Sequence, residues 1–256
     1  MISTHTTPHT RVRSHLTRLL GATVALAFCA TAGAQIHPSE ESLTDVYPGK
    51  AYSPYADRGY PERPLWGDSH LHTSMSLDAG MFGNRLGLDE AYRFAKGNEV
   101  LASSGQKARL GRPLDWLVIT DHSDGLGFSQ DVNAGSPSIT QFEQGKRWAD
   151  GVAKGGQDAV NAALDLITTF SQGEVNPELM ANYSPGARRY ATIWDEIIDA
   201  AERHNDPGKF TAFIGFEWTS LVKGGNMHRN VIFRDGADRT RQVVPFTTTP
   251  PVGSPD

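Results

Sequence analysis

The sequence predicts an α/β fold with a largely parallel sheet. Apolar stretches of strand length alternate with segments whose apolar residues have helical spacing, a pattern typical of parallel α/β proteins. Polar side chains able to bind metal follow several of the apolar stretches. The stretch 114–120 is almost continuously apolar, as strands buried on both faces are. The predicted strands are 65–70, 114–120, 210–218 and 230–233.

Helices are expected between these strands. Apolar residues recur at i, i+3, i+4 and i+7 over 88–95, which indicates an amphipathic helix. A longer helical region is expected after Pro137, interrupted at 155–156 by two glycines, and another helix over 190–204. The segments predicted to be loops are polar or contain glycine and proline, and they are 73–80, 97–113, 125–137 and 171–186.

Residues 1–34 are predicted to be a signal peptide. Three arginines give a positively charged start, an apolar run follows over 19–30, and the small residues Ala32 and Ala34 offer a cleavage site. The apolar run is too short to span a bilayer comfortably. We therefore expect a periplasmic or secreted protein, cleaved after Ala34, without a stable membrane anchor. An N-terminal arm is expected over 35–63, and the functional domain over 64–256.

Charge and cysteine content restrict the partners and the metal ligands. The net charge of −5 becomes −5 − 3 = −8 once the three arginines of the predicted signal peptide are removed. General electrostatic binding to nucleic acid is therefore not expected. Cys29, the single cysteine, lies in the same segment. Any metal in the mature protein must then be held by histidine and carboxylate groups.

Candidate metal ligands follow the predicted strands. His70 and His72 are one residue apart, so on an extended chain their imidazoles point to the same side and suit one metal ion or two adjacent ions. His122 follows the second strand, Glu217 ends the third and His228 begins the next extended segment. Because functional residues gather at the carboxyl ends of parallel strands, we expect these five side chains to form one site.

Each candidate also has a purely structural interpretation. A His-x-His pair alone is weak evidence, and His122 could be a turn histidine with Asp121 as a helix cap. Glu217 lies in an apolar strand, where an isolated carboxylate would be costly to bury. A neighbouring metal ion or arginine is therefore favoured. The hypothesis of a metal site depends on the pattern across all the strands.

Two motifs resemble a known superfamily. Gly-Asp-Ser-His-Leu-His-Thr over 67–73, with Ser76 and Asp78, and Asp-Trp-Leu-Val-Ile-Thr-Asp-His over 115–122 are similar to the first motifs of the polymerase-and-histidinol-phosphatase (PHP) superfamily of metal-dependent phosphoesterases. Phe-Gly-Asn-Arg-Leu, Ala-Tyr-Arg-Phe-Ala-Lys-Gly and Gly-Phe-Glu-Trp-Thr more closely resemble its exported branch, the domain-of-unknown-function 3604 proteins. The similarity covers about residues 64–235. It implies a distorted (β/α)7 barrel that holds up to three metal ions.

The resemblance also implies roles for individual residues. The four histidines His70, His72, His122 and His228 would be metal ligands, and Glu217 a bridging carboxylate. Zn²⁺, Mn²⁺ and Fe²⁺ all suit such a ligand set. Asp121 is predicted to orient an imidazole or to accept a proton. The candidates for holding a substrate phosphate, each of which could instead be a solvated surface charge, are Arg85, Lys107 and Arg229.

These observations predict an exported metal-dependent hydrolase that acts on small phosphoesters. The alternatives are a metal-dependent enzyme that cleaves another kind of bond, and a non-catalytic periplasmic module that binds a metal or a ligand. The resemblance implies a further histidine and an Asp-x-His pair that nothing after His228 matches. Four predicted strands are also too few for a closed barrel. We therefore expect the chain to be a fragment of a longer protein.

Overall fold

A four-stranded sheet forms the centre of the computed structural model, which describes residues 63–220 and 226–248. Its strands, in spatial order, are β1 (Gly67–Asp68), β4 (Trp116–Val118), β5 (Thr211–Ser220) and β6 (Met227–Phe233). The sheet curls into a half-barrel. A separate antiparallel hairpin joins β2 (Val100–Leu101) to β3 (Lys107–Ala108). All four predicted strands thus lie in one sheet, although β1 and β4 are shorter than predicted.

The strand directions are mixed. β1 pairs with β4 and β4 with β5 in parallel, as predicted. β6 runs antiparallel to β5, so the prediction of four parallel strands is wrong for the fourth. The connection between them, residues 221–226, is the physical reason. A parallel return requires a crossover of roughly a dozen residues or more, whereas a short link produces a hairpin.

Nine helices are present in the described part of the chain, and they cover the sheet or pack beside it. They are α1 (Leu77–Met81), α2 (Leu88–Ala95), α3 (Phe128–Ala134), α4 (Pro137–Thr140), α5 (Glu143–Lys154), α6 (Gly156–Ser171), α7 (Pro177–Ala181), α8 (Arg188–His204) and α9 (Ala237–Thr240). The helix predicted over 88–95 has those bounds, and the one predicted over 190–204 begins two residues earlier. None of these helices is long and apolar enough to cross a membrane.

Four segments predicted to be loops contain regular structure. They hold α1, the β2–β3 hairpin, α3 and α7. Helix α3 shows why the prediction failed. It begins and ends at glycines with positive φ, Gly127 and Gly135, and it buries Phe128 against Trp148 and Tyr183. The glycines that suggested a loop are the helix boundaries, and packing supplies the stability that a short segment lacks on its own.

Two hydrophobic clusters hold the structure together. The first lies between the sheet and the helices α2 and α8, and it includes Leu117, Phe216 and Trp194. The second joins α3, α5, α6 and α7 around Trp148. Burying one large apolar side chain stabilises the fold by about 1.5–3 kcal/mol, so both clusters contribute substantially. The apolar face predicted for α8 is buried, and its members are Ile193, Trp194, Ile197, Ile198 and Ala201.

Alternation along β5 decides which residues lie opposite the first cluster. Ile214 and Phe216 pack into that cluster, so Glu217 and Thr219 point to the other side, called the inner face below. The register pairs Thr219 with His228 on β6. Directly paired residues share a face of the sheet. The inner face therefore presents Glu217, Thr219 and His228 together. The predicted signal peptide over 1–34 and all but the last residue of the predicted arm over 35–63 lie outside the described residues.

Candidate metal centre

His70 and His72 face the same carboxylate oxygen. They follow β1, their ring centroids are 5.0 Å apart, and their Nε2 atoms lie 3.0 Å and 2.7 Å from Oε2 of Glu217. Glu217 is fully buried, and 147 residues separate it from His70 along the chain. The pairing of β1, β4 and β5 brings these distant segments of the chain together here.

A carboxylate from α1 sets the orientation of His72. The Nδ1 atom of His72 lies 2.9 Å from Oδ1 of Asp78 and 2.9 Å from the hydroxyl of Ser76. Burial opposes ionisation of Asp78, but its contacts with His122 and His72 outweigh burial and hold its pKa well below the usual range. An ionised carboxylate only accepts hydrogen bonds, so Nδ1–H of His72 donates to Asp78. In the neutral imidazole, the Nε2 atom of His72 then has a lone pair facing Glu217.

His122 and His228 complete the cluster around Glu217, and Nδ1 of His122 lies 4.0 Å from the same Oε2. The backbone N–H of His122 donates to the Ser76 hydroxyl at 3.1 Å, and His122 forms a parallel bridge with Glu217. Its Nε2 atom lies 3.5 Å from Oδ2 of Asp78. The Nδ1 atom of His228 contacts Oε1 of Glu217. The hydroxyl of Thr219 lies between the two imidazoles, 3.1 Å from Nδ1 of His122 and 3.2 Å from Nδ1 of His228.

These side chains form three overlapping groups that could each hold a metal ion. Within each group the ligand atoms lie within 4.8 Å of one another. The groups are His70–His72–Glu217, His72–Asp78–His122 and His122–Glu217–His228. Glu217 belongs to two groups, and its oxygens face opposite ways, Oε2 toward His70 and His72 and Oε1 toward His228. That arrangement suits a carboxylate that bridges two ions.

The residues present fit divalent metal ions. Nε2 of His72 and Oε1 of Glu217 are buried and form no hydrogen bond with any described residue. Each nevertheless lies close to another polar atom of the cluster, Nε2 of His72 to Oε2 of Glu217 and Oε1 of Glu217 to Nδ1 of His228. Buried polar atoms that approach one another without hydrogen-bond geometry are typical of atoms that surround a common ion. Burial lowers the pKa of His72, but the carboxylates of Asp78, Asp121 and Glu217 raise it by more, so the pKa lies above its ordinary value. The surroundings of His72 therefore favour positive charge.

Asp78 is the ligand candidate that the sequence analysis did not assign. It lies in the first turn of α1, a segment predicted to be a loop, and the resemblance implies no metal-binding role for it. Its signal in the sequence is its position six residues after His72, within reach of a chain that turns back. The structure places Asp78 against both His72 and His122.

Asp121 lies behind the cluster rather than within it. Its Oδ1 accepts the backbone N–H of Thr73 at 2.6 Å, and its Oδ2 accepts the Thr73 hydroxyl at 2.7 Å. The carboxyl is buried, which raises its pKa to about 6 against the opposing effect of those hydrogen bonds. Its contacts hold the segment after His72, and its predicted roles, orienting an imidazole or accepting a proton, stay predictions.

The three cations predicted to bind phosphate are not brought together with the cluster. The guanidinium of Arg85 donates to the carbonyl of Gly80 at 2.6 Å. Lys107 lies on the β2–β3 hairpin and pairs with Glu99 at 2.8 Å. Arg229 pairs with Trp218 across β5 and β6, which places it on the face of the sheet opposite Glu217. Their predicted contact with substrate stays a prediction.

Comparison with known families covers most of the chain. The family described as "Protein of unknown function (DUF3604)" matches residues 60–253, a range that contains every member of the metal-binding groups. No curated protein and no solved structure matches the chain. The match over residues 60–253 shows that the chain belongs to the DUF3604 family.

Proposed function

We propose that this protein is an exported metal-dependent hydrolase that acts on small phosphoesters. The observation that carries the proposal is the environment of Glu217. This carboxylate is fully buried, and its charge partners among the described residues are all histidines. A buried carboxylate is costly without a cation, and the only cation that its described neighbours could supply is a protonated imidazole. Metal ions bound between Glu217 and these histidines would balance the carboxylate charge and give the imidazole nitrogens a partner.

The ligand chemistry and the exposure of the cluster support a catalytic site. Nitrogen and oxygen donors without sulfur suit Zn²⁺, Mn²⁺ and Fe²⁺. Such ions, when bound, would polarise a phosphoryl oxygen and activate a water molecule for attack. His72 and His122 are mostly buried, whereas the side chains of His70 and His228 are 56% and 43% exposed. A substrate would therefore reach the cluster on the side of His70 and His228.

A relationship to the PHP superfamily is part of the proposal. Three parallel strands in the order β1, β4 and β5 carry candidate ligands at or just beyond their carboxyl ends, as expected for a distorted (β/α)7 barrel. The two motifs over 67–73 and 115–122 supply three of those side chains, His70, His72 and His122. We propose that the curled sheet corresponds to part of such a barrel, and that the family's full metal set numbers up to three ions.

Two other functions are compatible with the same cluster. A metal-dependent enzyme could cleave a carboxylic ester or another bond, because neither the fold nor the ligands determine the substrate. A non-catalytic module could bind metal without turnover. The phosphoester proposal is preferred because of the motif resemblance, and no contact in the described residues distinguishes a phosphoryl group from other substrates.

An activity panel tests the proposal. The full chain, stripped of metal and reloaded separately with Zn²⁺, Mn²⁺ and Fe²⁺, is assayed on a phosphomonoester, a phosphodiester and a carboxylic ester. We expect phosphoester hydrolysis with at least one metal, lost in Glu217→Gln but kept in Asp165→Asn. Asp165 contacts Arg147 and Trp148, away from the cluster, and so provides a matched control. Hydrolysis of the carboxylic ester alone, or metal binding without turnover, would support the alternatives.

A further inference from the structure

A side-chain amide joins the two edge strands of the sheet. In the spatial order β1, β4, β5 and β6, the strands β1 and β6 lie at opposite edges. Nδ2 of Asn230, on β6, nevertheless donates to the backbone carbonyl of Ser69, directly after β1, at 2.7 Å. In a flat sheet, three strand spacings would separate these edges by roughly 14 Å. The contact forms because the sheet curls.

Asn230 lies on the same face of the sheet as the metal cluster. The register pairs it with Glu217 across β5 and β6, and directly paired residues share a face. Its amide therefore reaches across the inner face to the segment that carries His70. Nε2 of His70 lies 3.0 Å from Oε2 of Glu217. Asn230 is thus tied to both members of this pair, to Glu217 by strand pairing and to the segment of His70 by its side chain.

The orientation of the amide follows from the chemistry of its partner. A backbone carbonyl only accepts hydrogen bonds, so the Asn230 atom 2.7 Å away must be the nitrogen rather than the oxygen. The other atom, Oδ1, is buried and forms no hydrogen bond with any described residue. Asparagine is also depleted in strands. Stability alone would favour an apolar or β-branched side chain at this place, so the asparagine calls for a functional explanation.

His70 lies where regular strand pairing has ended. β1 ends at Asp68, whose side chain accepts the N–H of His70 at 3.0 Å, a local contact that does not attach the segment to the rest of the sheet. The side chain of His70 is 56% exposed, more than that of any other histidine in the cluster. After it, the N–H of Leu71 donates to the Thr120 hydroxyl at 3.2 Å. Before it, the amide of Asn230 supplies the second anchor.

We propose that Asn230 is a positioning residue, which holds the carbonyl before His70 and so keeps that imidazole against Glu217 for a shared metal ion. This inference rests on the metal site of the proposed function. His70 and Glu217 belong to one of the groups that could hold an ion. Removing a group that holds a metal ligand in place commonly weakens metal binding. Neither the strand pairing of Asn230 nor its bond to Ser69 involves an imidazole proton.

The test is a double-mutant cycle with Asn230→Ala and His70→Ala. Zn²⁺ titration of the metal-free full chain gives the affinity of the wild type, both single variants and the double variant, and urea unfolding shows whether each is folded. Binding stays measurable without His70, because two of the three metal-binding groups do not contain it. Asn226→Ala is the control, since Asn226 is exposed and lies just before β6.

We expect Asn230→Ala to weaken Zn²⁺ binding about 10- to 100-fold when His70 is present, the usual loss for a group behind a metal ligand. In the His70→Ala background the same change should alter affinity by no more than about twofold, because the residue through which it acts is gone. Asn226→Ala should leave affinity unchanged. A loss of equal size in both backgrounds, as displacement of His228 would produce, would overturn the inference, and so would unchanged affinity in Asn230→Ala.

The wild type supplies a second measurement. ¹H–¹⁵N spectra report how fast the side-chain amide of Asn230 exchanges its protons with solvent, and this exchange should be slower than that of Asn226. Equal rates would overturn the inference even if Asn230→Ala failed to fold. Because none of these measurements needs turnover, absence of hydrolysis with metal bound would refute only the proposed function. A wild type that binds no Zn²⁺ would refute both.

Discussion

Thr73 and Asp121 form a double hydrogen bond that joins the two histidine-bearing segments of the site. The N–H and the hydroxyl of Thr73 donate to the two oxygens of Asp121, at 2.6 Å and 2.7 Å. Thr73 follows His72, and Asp121 precedes His122. Both residues are buried, so the contact fixes the spacing of His72 and His122 from behind.

We expect Thr73→Val to destabilise the protein by about 1–3 kcal/mol, because one oxygen of a buried carboxyl loses its partner. The free energy of unfolding in urea measures the loss. Thr73→Ser keeps the donor and serves as the control. A Thr73→Val variant as stable as the wild type would show that Asp121 does not depend on this bond.

The double variant His70→Ala/His72→Ala should lose most of its bound metal. Both side chains face Oε2 of Glu217. Their removal takes two members from the group His70–His72–Glu217 and one from the group His72–Asp78–His122. Elemental analysis of purified protein measures metal per chain. His204→Ala is the matched control, since His204 stacks on Tyr92 and pairs with Asp89 outside the cluster. Equal metal content in the double variant and the wild type would contradict the site.

Asp78→Ala tests the ligand that the sequence analysis did not assign. We expect about 10- to 100-fold weaker metal binding, whether the carboxylate contacts the ion or only orients His72 and His122. Isothermal titration with Zn²⁺ gives the affinity. Asp158→Ala, an exposed residue in the first turn of α6, controls for the change in charge. Unaltered affinity would remove Asp78 from the site.

The contact between Asp89 and His204 predicts a small dependence of stability on pH. The hydrogen bond from His204, aided by Arg203, lowers the pKa of Asp89 from its ordinary value of 3.8. Its stabilisation is therefore complete above the unfolded-state pKa and is lost as pH falls through the lower folded-state value. Because both partners are reached by solvent, Asp89→Asn should cost at most about 1 kcal/mol at pH 7. Urea unfolding measures the difference in free energy of unfolding between the wild type and Asp89→Asn, which should be smaller at pH 3 than at pH 7. An equal difference at both pH values would contradict the prediction.

Export is testable by N-terminal sequencing of the protein from its native host. The arginines, the apolar run and the small residues before Gln35 predict a mature chain that begins at Gln35 or within a few residues of it. Ala34→Arg should block cleavage and leave a heavier protein. Recovery of a chain that retains Met1 from the cytosol would exclude the predicted signal peptide.

Much of the site could be predicted because ligand spacing and strand position are local features. The period of two along an extended chain placed His70 and His72 on one side. Parallel pairing then brought the ends of the strands together with His122 and Glu217. The direction of β6 was not predicted, because the predicted strands 210–218 and 230–233 left the longer segment 219–229 between them. Only the longer strands of the structure shorten that link to 221–226.

The rest depended on contacts between distant residues. Helix α3 is short and glycine-bounded, and its formation depends on Trp148 and Tyr183, which come later in the chain. The position of Asp121 was clear from the motif, but its partner Thr73 emerges only when β1 and β4 pair. The spacing of apolar residues in either segment does not predict such a contact.

The separation of His70 from Glu217 gives a bound ion a mechanical role. An ion held by both would tie together chain segments 147 residues apart, much as a disulfide would, in a described region that contains no cysteine. Unlike a disulfide, the ion would dissociate when the chain unfolds, so it would stabilise the protein by binding the folded state alone. An ion at a hundred times its dissociation constant would add about 2.7 kcal/mol of stability. Chelation would then remove that stabilisation, so that scarcity of metal would shorten the lifetime of the folded protein.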